Sequence, residues 1–115
     1  MNLFRRLFRS QQKTNHNIVR LDPDDFKKAI SKNSGKLIDV RTKREFANGV
    51  IPGAINQDVM QKNDFLQASL QWSKSEPVNL YCQSGMRSMK AARILSRNRF
   101  TKIYKIRTSG IKERA

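Results

Sequence analysis

Short apolar runs alternate with amphipathic stretches between Ile18 and Ile106, and each amphipathic stretch opens near a polar cap residue. Apolar runs of this length are typical of buried strands, whereas apolar positions three and four apart indicate helices. The predicted strands are 18–21, 36–40, a short strand at 55, 78–81 and 101–106. Because strand and helix alternate at short range, we expect an α/β fold: a small parallel sheet with helices on both faces.

Local signals place the helix boundaries. Asp22 is the predicted N-cap of the first helix, with Pro23 at its first position, and Gly35 is expected to end it. The predicted capping box runs from Thr42 to Glu45, and Gly49 closes that helix. A third helix is expected to be capped by Asn63, and a fourth covers 88–98. The expected apolar side of the third helix comprises Phe65, Leu66, Leu70 and Trp72.

The two ends differ from the domain, which we assign to 18–106. Residues 1–17 hold a polar linker and a short amphipathic helix whose apolar positions are Leu3, Phe4, Leu7 and Phe8. That helix either docks on the domain or frays, or it contacts a partner or a membrane surface, which it would bind only weakly. Residues 107–115 form a basic tail with almost no apolar residues.

Charge narrows the range of partners only in part. Lys and Arg outnumber Asp and Glu by 24 to 9, giving a net charge of +15, and a large share of this excess lies at the two ends. Such a field attracts anions in general, including small oxyanions, acidic proteins, nucleic acid and anionic lipid. We expect no specific nucleic-acid binding, because no basic motif rich in aromatic residues is present.

Cysteine usage points to a reducing compartment, and we expect a cytoplasmic protein. Cys82 is the only cysteine, which excludes an internal disulfide and a metal site built on several thiolates. We therefore expect neither a metal nor a cofactor. No apolar run is long enough to span a membrane, and the first residues do not resemble a secretory signal.

The segment around Cys82 carries the candidate chemistry. A buried strand ends at Tyr81, Cys82 follows it, and Gly85 permits the tight loop that leads to Ser88, the predicted cap of the next helix. Loop amides and the helix N-terminus are expected to surround the sulfur with partial positive charge, and Arg87 adds a full charge. All three effects favour the thiolate over the thiol.

Two segments then resemble the single-domain rhodaneses, the thiosulfate sulfurtransferase-like proteins. The segment from Cys82 to Arg87 matches their Cys-x-x-Gly-x-Arg loop, and the segments 37–41, 45–46 and 51–56 resemble a second signature of that family. The resemblance covers about residues 18–104. It implies the rhodanese fold and transfer of sulfur through a persulfide.

The resemblance implies a role for each matching position. Cys82 corresponds to the nucleophile, and Arg87 to the residue that holds the oxyanion of the substrate. The substrate-binding loop comprises Gln83, Ser84, Gly85, Met86, Arg87 and Ser88. Asp39 and Arg41 correspond to residues that support the loop rather than touch substrate, and Glu45 is the expected ion-pair partner of Arg41.

The implied reaction moves sulfur from thiosulfate or a related anion to a thiol or protein acceptor. The loop from Cys82 to Arg87 has six residues, a length that fits sulfur substrates in this family. The related phosphatases and arsenate reductases use a wider loop of seven residues, so phosphatase activity is the less favoured interpretation. An ionised thiol needs no general base, and His16, the only histidine, is expected to be incidental. The alternative function is a weakly active or non-catalytic domain that relays sulfur or binds a partner.

The chain departs from the family pattern at three places. Val50 replaces a peripheral histidine, and Arg99 replaces a glycine at a position expected to need left-handed backbone. After Tyr104 the usual Gly-Gly turn and final helix are missing from the sequence pattern. We hypothesise that the tail is altered or truncated, for example by a change of reading frame. Loss of that helix would expose apolar surface, so we expect a marginal monomer or a weak dimer.

Overall fold

The computed structural model describes residues 17–106, and the predicted N-terminal helix, His16 and the basic tail lie outside this range. Strands and helices alternate through the described residues. They are β1 (Ile18–Leu21), α1 (Pro23–Asn33), β2 (Lys36–Asp39), α2 (Lys43–Ala47), β3 (Ile55–Asn56), α3 (Lys62–Ser69), β4 (Val78–Tyr81), α4 (Met86–Arg97) and β5 (Ile103–Ile106). No helix among them has the length and apolar character needed to cross a membrane.

The five strands form one sheet in the order β1-β5-β4-β2-β3, and every neighbouring pair is parallel. This arrangement confirms the predicted α/β class. Strand β4 lies at the centre of the sheet, and all four of its residues are buried. Because all strands run the same way, the loops that follow β2, β3 and β4 meet at one edge of the sheet.

Each face of the sheet has its own core, as predicted for helices on both sides. The larger core packs α3 and α4 against one face and includes Phe65, Leu80, Cys82 and Leu95. The smaller core packs α1 and the turn around Ile51 against the opposite face. Side chains alternate between faces along a strand, so Leu80 and Cys82 point to the larger core while Tyr81 points to the smaller one.

The third helix begins earlier than predicted. Gln61, not Asn63, occupies its N-cap position, and the helix ends at Ser69. Phe65 is fully buried, as predicted, and Leu66 and Trp72 pack against the same core. Leu70 was expected on this apolar side but is the C-cap residue of the helix and is 62% exposed.

Gly35 has a different role from the predicted one. Ser34 takes the left-handed conformation at the end of α1, with φ at 49°. Gly35 instead lies against Pro77, where an added Cβ would be 2.2 Å from the Pro77 carbonyl oxygen. The absence of a side chain at position 35 therefore allows β2 to begin close to the segment that precedes β4.

Arg99 adopts left-handed backbone, with φ at 72°, immediately after the C-cap of α4. This confirms the conformation predicted for a position where glycine is usual. Two local contacts offset the strain of this conformation. The amide of Phe100 donates to the carbonyl of Leu95 at 3.1 Å, and the Phe100 side chain is buried.

Candidate active site

Cys82 lies where the centre of the sheet meets the N-terminus of α4. It is 1% exposed and follows β4 directly. The backbone amides of Gly85 and Ser88 donate to its Sγ atom at 3.0 and 3.2 Å. Two of the predicted loop amides therefore donate to the sulfur.

Helix α4 begins at Met86, two residues before the predicted start, and its N-cap is Gly85 rather than Ser88. Gly85 has φ at 85°, a conformation that glycine adopts readily. Ser88 consequently lies in the first turn, where backbone amides have no partner within the helix. The Cys82 sulfur accepts from this amide in the way a capping side chain would, and the Ser88 hydroxyl donates to the Gly85 carbonyl at 3.1 Å.

The other loop residues lie further from the sulfur. Ser84 is exposed, and its Oγ accepts from the Met86 amide at 3.4 Å. The Met86 side chain is 76% exposed, and Gln83 is partly exposed. These three residues form the outer surface of the loop rather than its contact with Sγ.

Arg87 forms a bidentate ion pair with Glu45, which corrects the expected pairing of Glu45 with Arg41. The two terminal guanidinium nitrogens of Arg87 donate to the two Glu45 carboxylate oxygens at 2.8 and 3.0 Å. The hydrogen bond to Glu45 raises the pKa of Arg87 against the opposing effect of burial, and the neighbouring Cys82 raises it further. The loop arginine is thus fixed from the adjacent helix α2.

Glu45 is itself fixed by the capping box at the start of α2, which is confirmed. Its carboxylate accepts from the Thr42 amide and hydroxyl, both at 3.0 Å, and the Thr42 hydroxyl accepts from the Glu45 amide at 3.1 Å. The Arg87 guanidinium is the main cause that lowers the pKa of Glu45 to about 2, with the Thr42 contacts adding to it against the effect of burial. Glu45 is therefore ionised throughout the neutral range.

Arg41 pairs with Asp39 instead. Its Nε donates to both Asp39 oxygens at 2.9 and 3.1 Å, and its terminal nitrogen donates to one of them at 2.8 Å. The same guanidinium donates to the Gly49 carbonyl at 2.7 Å and lies 5.1 Å from the centre of the Tyr81 ring. The hydrogen bond to Asp39 raises the pKa of Arg41. Through Gly49, the pair connects the end of β2 to the segment that follows α2. Helix α2 itself carries Glu45.

Asn56 is a supporting residue to which the sequence patterns assigned no role. Its side-chain amide donates to the carbonyls of Asp39 and Arg41 at 3.0 and 2.9 Å. It thereby joins β3 to the turn that follows β2. Its place at the end of the short strand that follows the Pro-Gly turn was the available signal, but asparagine is also common in loops.

The geometry defines a class: a parallel α/β domain that presents one buried thiol to the N-terminus of a helix. Comparison with known proteins is consistent with this class, because residues 22–113 match the model of the rhodanese-like domain. The chain belongs to the rhodanese-like domain family. The match extends beyond residue 104, into the tail that departs from the expected pattern.

The chain matches parts of several relatives of known sequence. The chain is 37% identical over 87 residues to the uncharacterised protein YqhL of Bacillus subtilis, covering 76% of this chain and 65% of that protein. It is 39% identical over 75 residues to thiosulfate sulfurtransferase 16 of Arabidopsis thaliana, covering 57% and 62%. A tRNA uridine(34) hydroxylase of Acinetobacter baylyi is 26% identical, and the chain spans only 29% of it. The chain thus spans less than two thirds of these relatives.

Solved structures share the fold. The human single-domain sulfurtransferase TSTD1 superposes with a TM-score of 0.68 at 22% identity, covering 82% of this chain and 93% of that one. The reduced CoADR-RHD of Bacillus anthracis gives 0.68 at 26% identity, covering 85% of this chain and 17% of that one.

Proposed function

We propose that this domain is a sulfurtransferase that carries sulfane sulfur as a persulfide on Cys82. One observation carries the proposal: two backbone amides donate to the Sγ atom of a buried cysteine at the N-terminus of a 12-residue helix. Amide donors and a helix N-terminus stabilise negative charge, so the site supports both the attacking thiolate and the persulfide anion that replaces it.

In the first step, the Cys82 thiolate attacks the outer sulfur of thiosulfate. A bond forms between Sγ and that sulfur, the sulfur–sulfur bond of thiosulfate breaks, and sulfite leaves with the electron pair. The charge on the departing group grows as this bond breaks, so a fixed cation nearby lowers the barrier. No proton transfer is required when the thiol is already ionised.

Arg87 is the proposed cation. A guanidinium has five N–H donors, and Glu45 accepts from two of those on Arg87. The other three N–H groups have no acceptor among the described residues, so they are available to an oxyanion of the substrate. The bidentate pair restricts rotation of the guanidinium, which keeps these donors oriented before the substrate arrives. Arg87 would hold the sulfonate oxygens of thiosulfate while Cys82 reacts.

In the second step, an acceptor thiolate attacks the outer sulfur of the persulfide. A bond forms between the acceptor sulfur and the outer sulfur of the persulfide. The bond between that outer sulfur and Sγ breaks, and its electron pair stays on Sγ, which is again a thiolate. A single thiol that cycles in this way suits a reducing compartment such as the cytoplasm.

Two substitutions test the proposal in a thiosulfate-to-cyanide transfer assay. Cys82→Ser should abolish transfer while the circular dichroism spectrum is unchanged. Arg87→Lys keeps the charge but loses the planar fork, so we expect at least about a tenfold loss in kcat/KM. Arg97→Lys, on the same helix, should match the wild type. Normal turnover by the Cys82→Ser protein would refute the proposal.

A further inference from the structure

A cationic cleft lies on the same face of the sheet as Cys82. It has a volume of about 380 Å³ and lies between the edge strand β1 and helix α4. Its apolar walls are Ile18 and Met89, and its charged walls are Arg20 and Arg93. A cavity of this size accommodates a small ligand or a few residues of a peptide.

Among residues 17–106, neither arginine of the cleft has an acidic partner. The ion pairs of Arg41 with Asp39 and of Arg87 with Glu45 involve neither of them. Arg20 and Arg93 are both exposed and keep their guanidinium donors for a ligand. Two guanidiniums over an apolar floor are suited to carboxylates attached to a short organic chain.

The register of the sheet relates this cleft to the reactive sulfur. Arg20 is level with Lys105, and Lys105 is level with Leu80. Cys82 lies two residues beyond Leu80 and points to the same core. Two strand spacings and two residues of rise separate the Cα atoms of Arg20 and Cys82 by about 12 Å.

We infer that this cleft selects the sulfur acceptor, and that the preferred acceptor is a thiol with carboxylates two or three residues away along a peptide. This inference rests on the proposed persulfide function. An extended tripeptide separates its first and third Cα atoms by about 7 Å, and its two side chains add to that reach. A cysteine at one end can therefore meet the persulfide while carboxylates at the other end contact Arg20 and Arg93.

Transfer kinetics with two matched peptides test the inference. Acetyl-Cys-Gly-Glu with a free C-terminus carries two carboxylates, and acetyl-Cys-Gly-Gln-amide carries none. With the wild type at low salt, we expect roughly a tenfold lower KM for the acidic peptide, and added salt should reduce this preference. The double variant Arg20→Gln/Arg93→Gln should lose the preference, while Arg97→Gln on the same helix should retain it.

Direct binding separates this inference from the proposed function. The S-methylated acidic peptide cannot accept sulfur, so its affinity, measured by fluorescence anisotropy, is independent of persulfide chemistry. We expect the double variant to bind it roughly tenfold more weakly than the wild type and the Arg97→Gln control. Equal binding by all three proteins would overturn the cleft assignment. Absence of a persulfide with arginine-dependent binding intact would overturn the proposed function and the acceptor role that rests on it, and would leave the cleft as a binding site for acidic peptides.

Discussion

Replacement of Glu45 by glutamine tests how the site arginine is fixed. Glutamine is compatible with the N3 position of a capping box, so the substitution removes the charge that pairs with Arg87 while the start of α2 is retained. The side chains of Arg87 and Glu45 are 23% and 31% exposed, so water screens their attraction. We therefore expect a loss of about 1 kcal/mol at neutral pH.

The pH dependence gives this prediction its sign. The pKa of Glu45 falls from 4.5 to about 2 on folding, so the contribution of the pair is fully present above the unfolded value and is lost as the pH falls toward 2. Urea denaturation of the wild type and of Glu45→Gln should therefore show a stability gap at pH 7 that narrows between about pH 5 and pH 2.

Glu76→Gln is the matched control, because Glu76 is exposed and forms no ion pair. It should match the wild type at pH 7. If Glu45→Gln is as stable as this control at pH 7, or if the gap stays the same down to pH 2, then the pair with Arg87 does not act as described.

Three further substitutions test the supporting structure by urea denaturation. Asp39→Asn leaves the Arg41 charge buried without its partner and should cost about 3–5 kcal/mol; a loss under 1 kcal/mol would contradict the pairing. Gly35→Ala should cost about 1–3 kcal/mol, because its Cβ would overlap the Pro77 carbonyl, and an unchanged midpoint would refute that contact. Arg99→Gly should add about 1 kcal/mol by relieving left-handed strain, and destabilisation would show that the arginine contributes contacts of its own.

Most of the fold was predictable because its signals are local. The strands at 18–21 and 78–81 match their predicted bounds, since each is a short, mostly apolar segment. The capping box of α2 was equally clear, because both partners lie within one turn. Local signals failed where a distant group replaced the usual cap. Ser88 resembles an N-cap, yet α4 starts two residues earlier, at Met86. The Cys82 sulfur accepts from the Ser88 amide and takes the place of the usual capping side chain.

The pairing within the site was less predictable. Arg41 and Arg87 are both plausible partners for Glu45 in sequence, and Arg41 is nearer along the chain. The structure pairs Arg41 with Asp39, two residues before it, because both side chains are buried at the end of β2. Glu45 is then left for Arg87, which is brought close only when β4 pairs with β2. Such choices depend on sheet register, which no single segment encodes.

Mass spectrometry of the folded protein after exposure to thiosulfate tests the central claim most directly. The account predicts the gain of one sulfur atom on the peptide that contains Cys82, its loss on addition of cyanide, and no gain in Cys82→Ser. A folded wild-type protein that gains no sulfur at this residue would contradict the account.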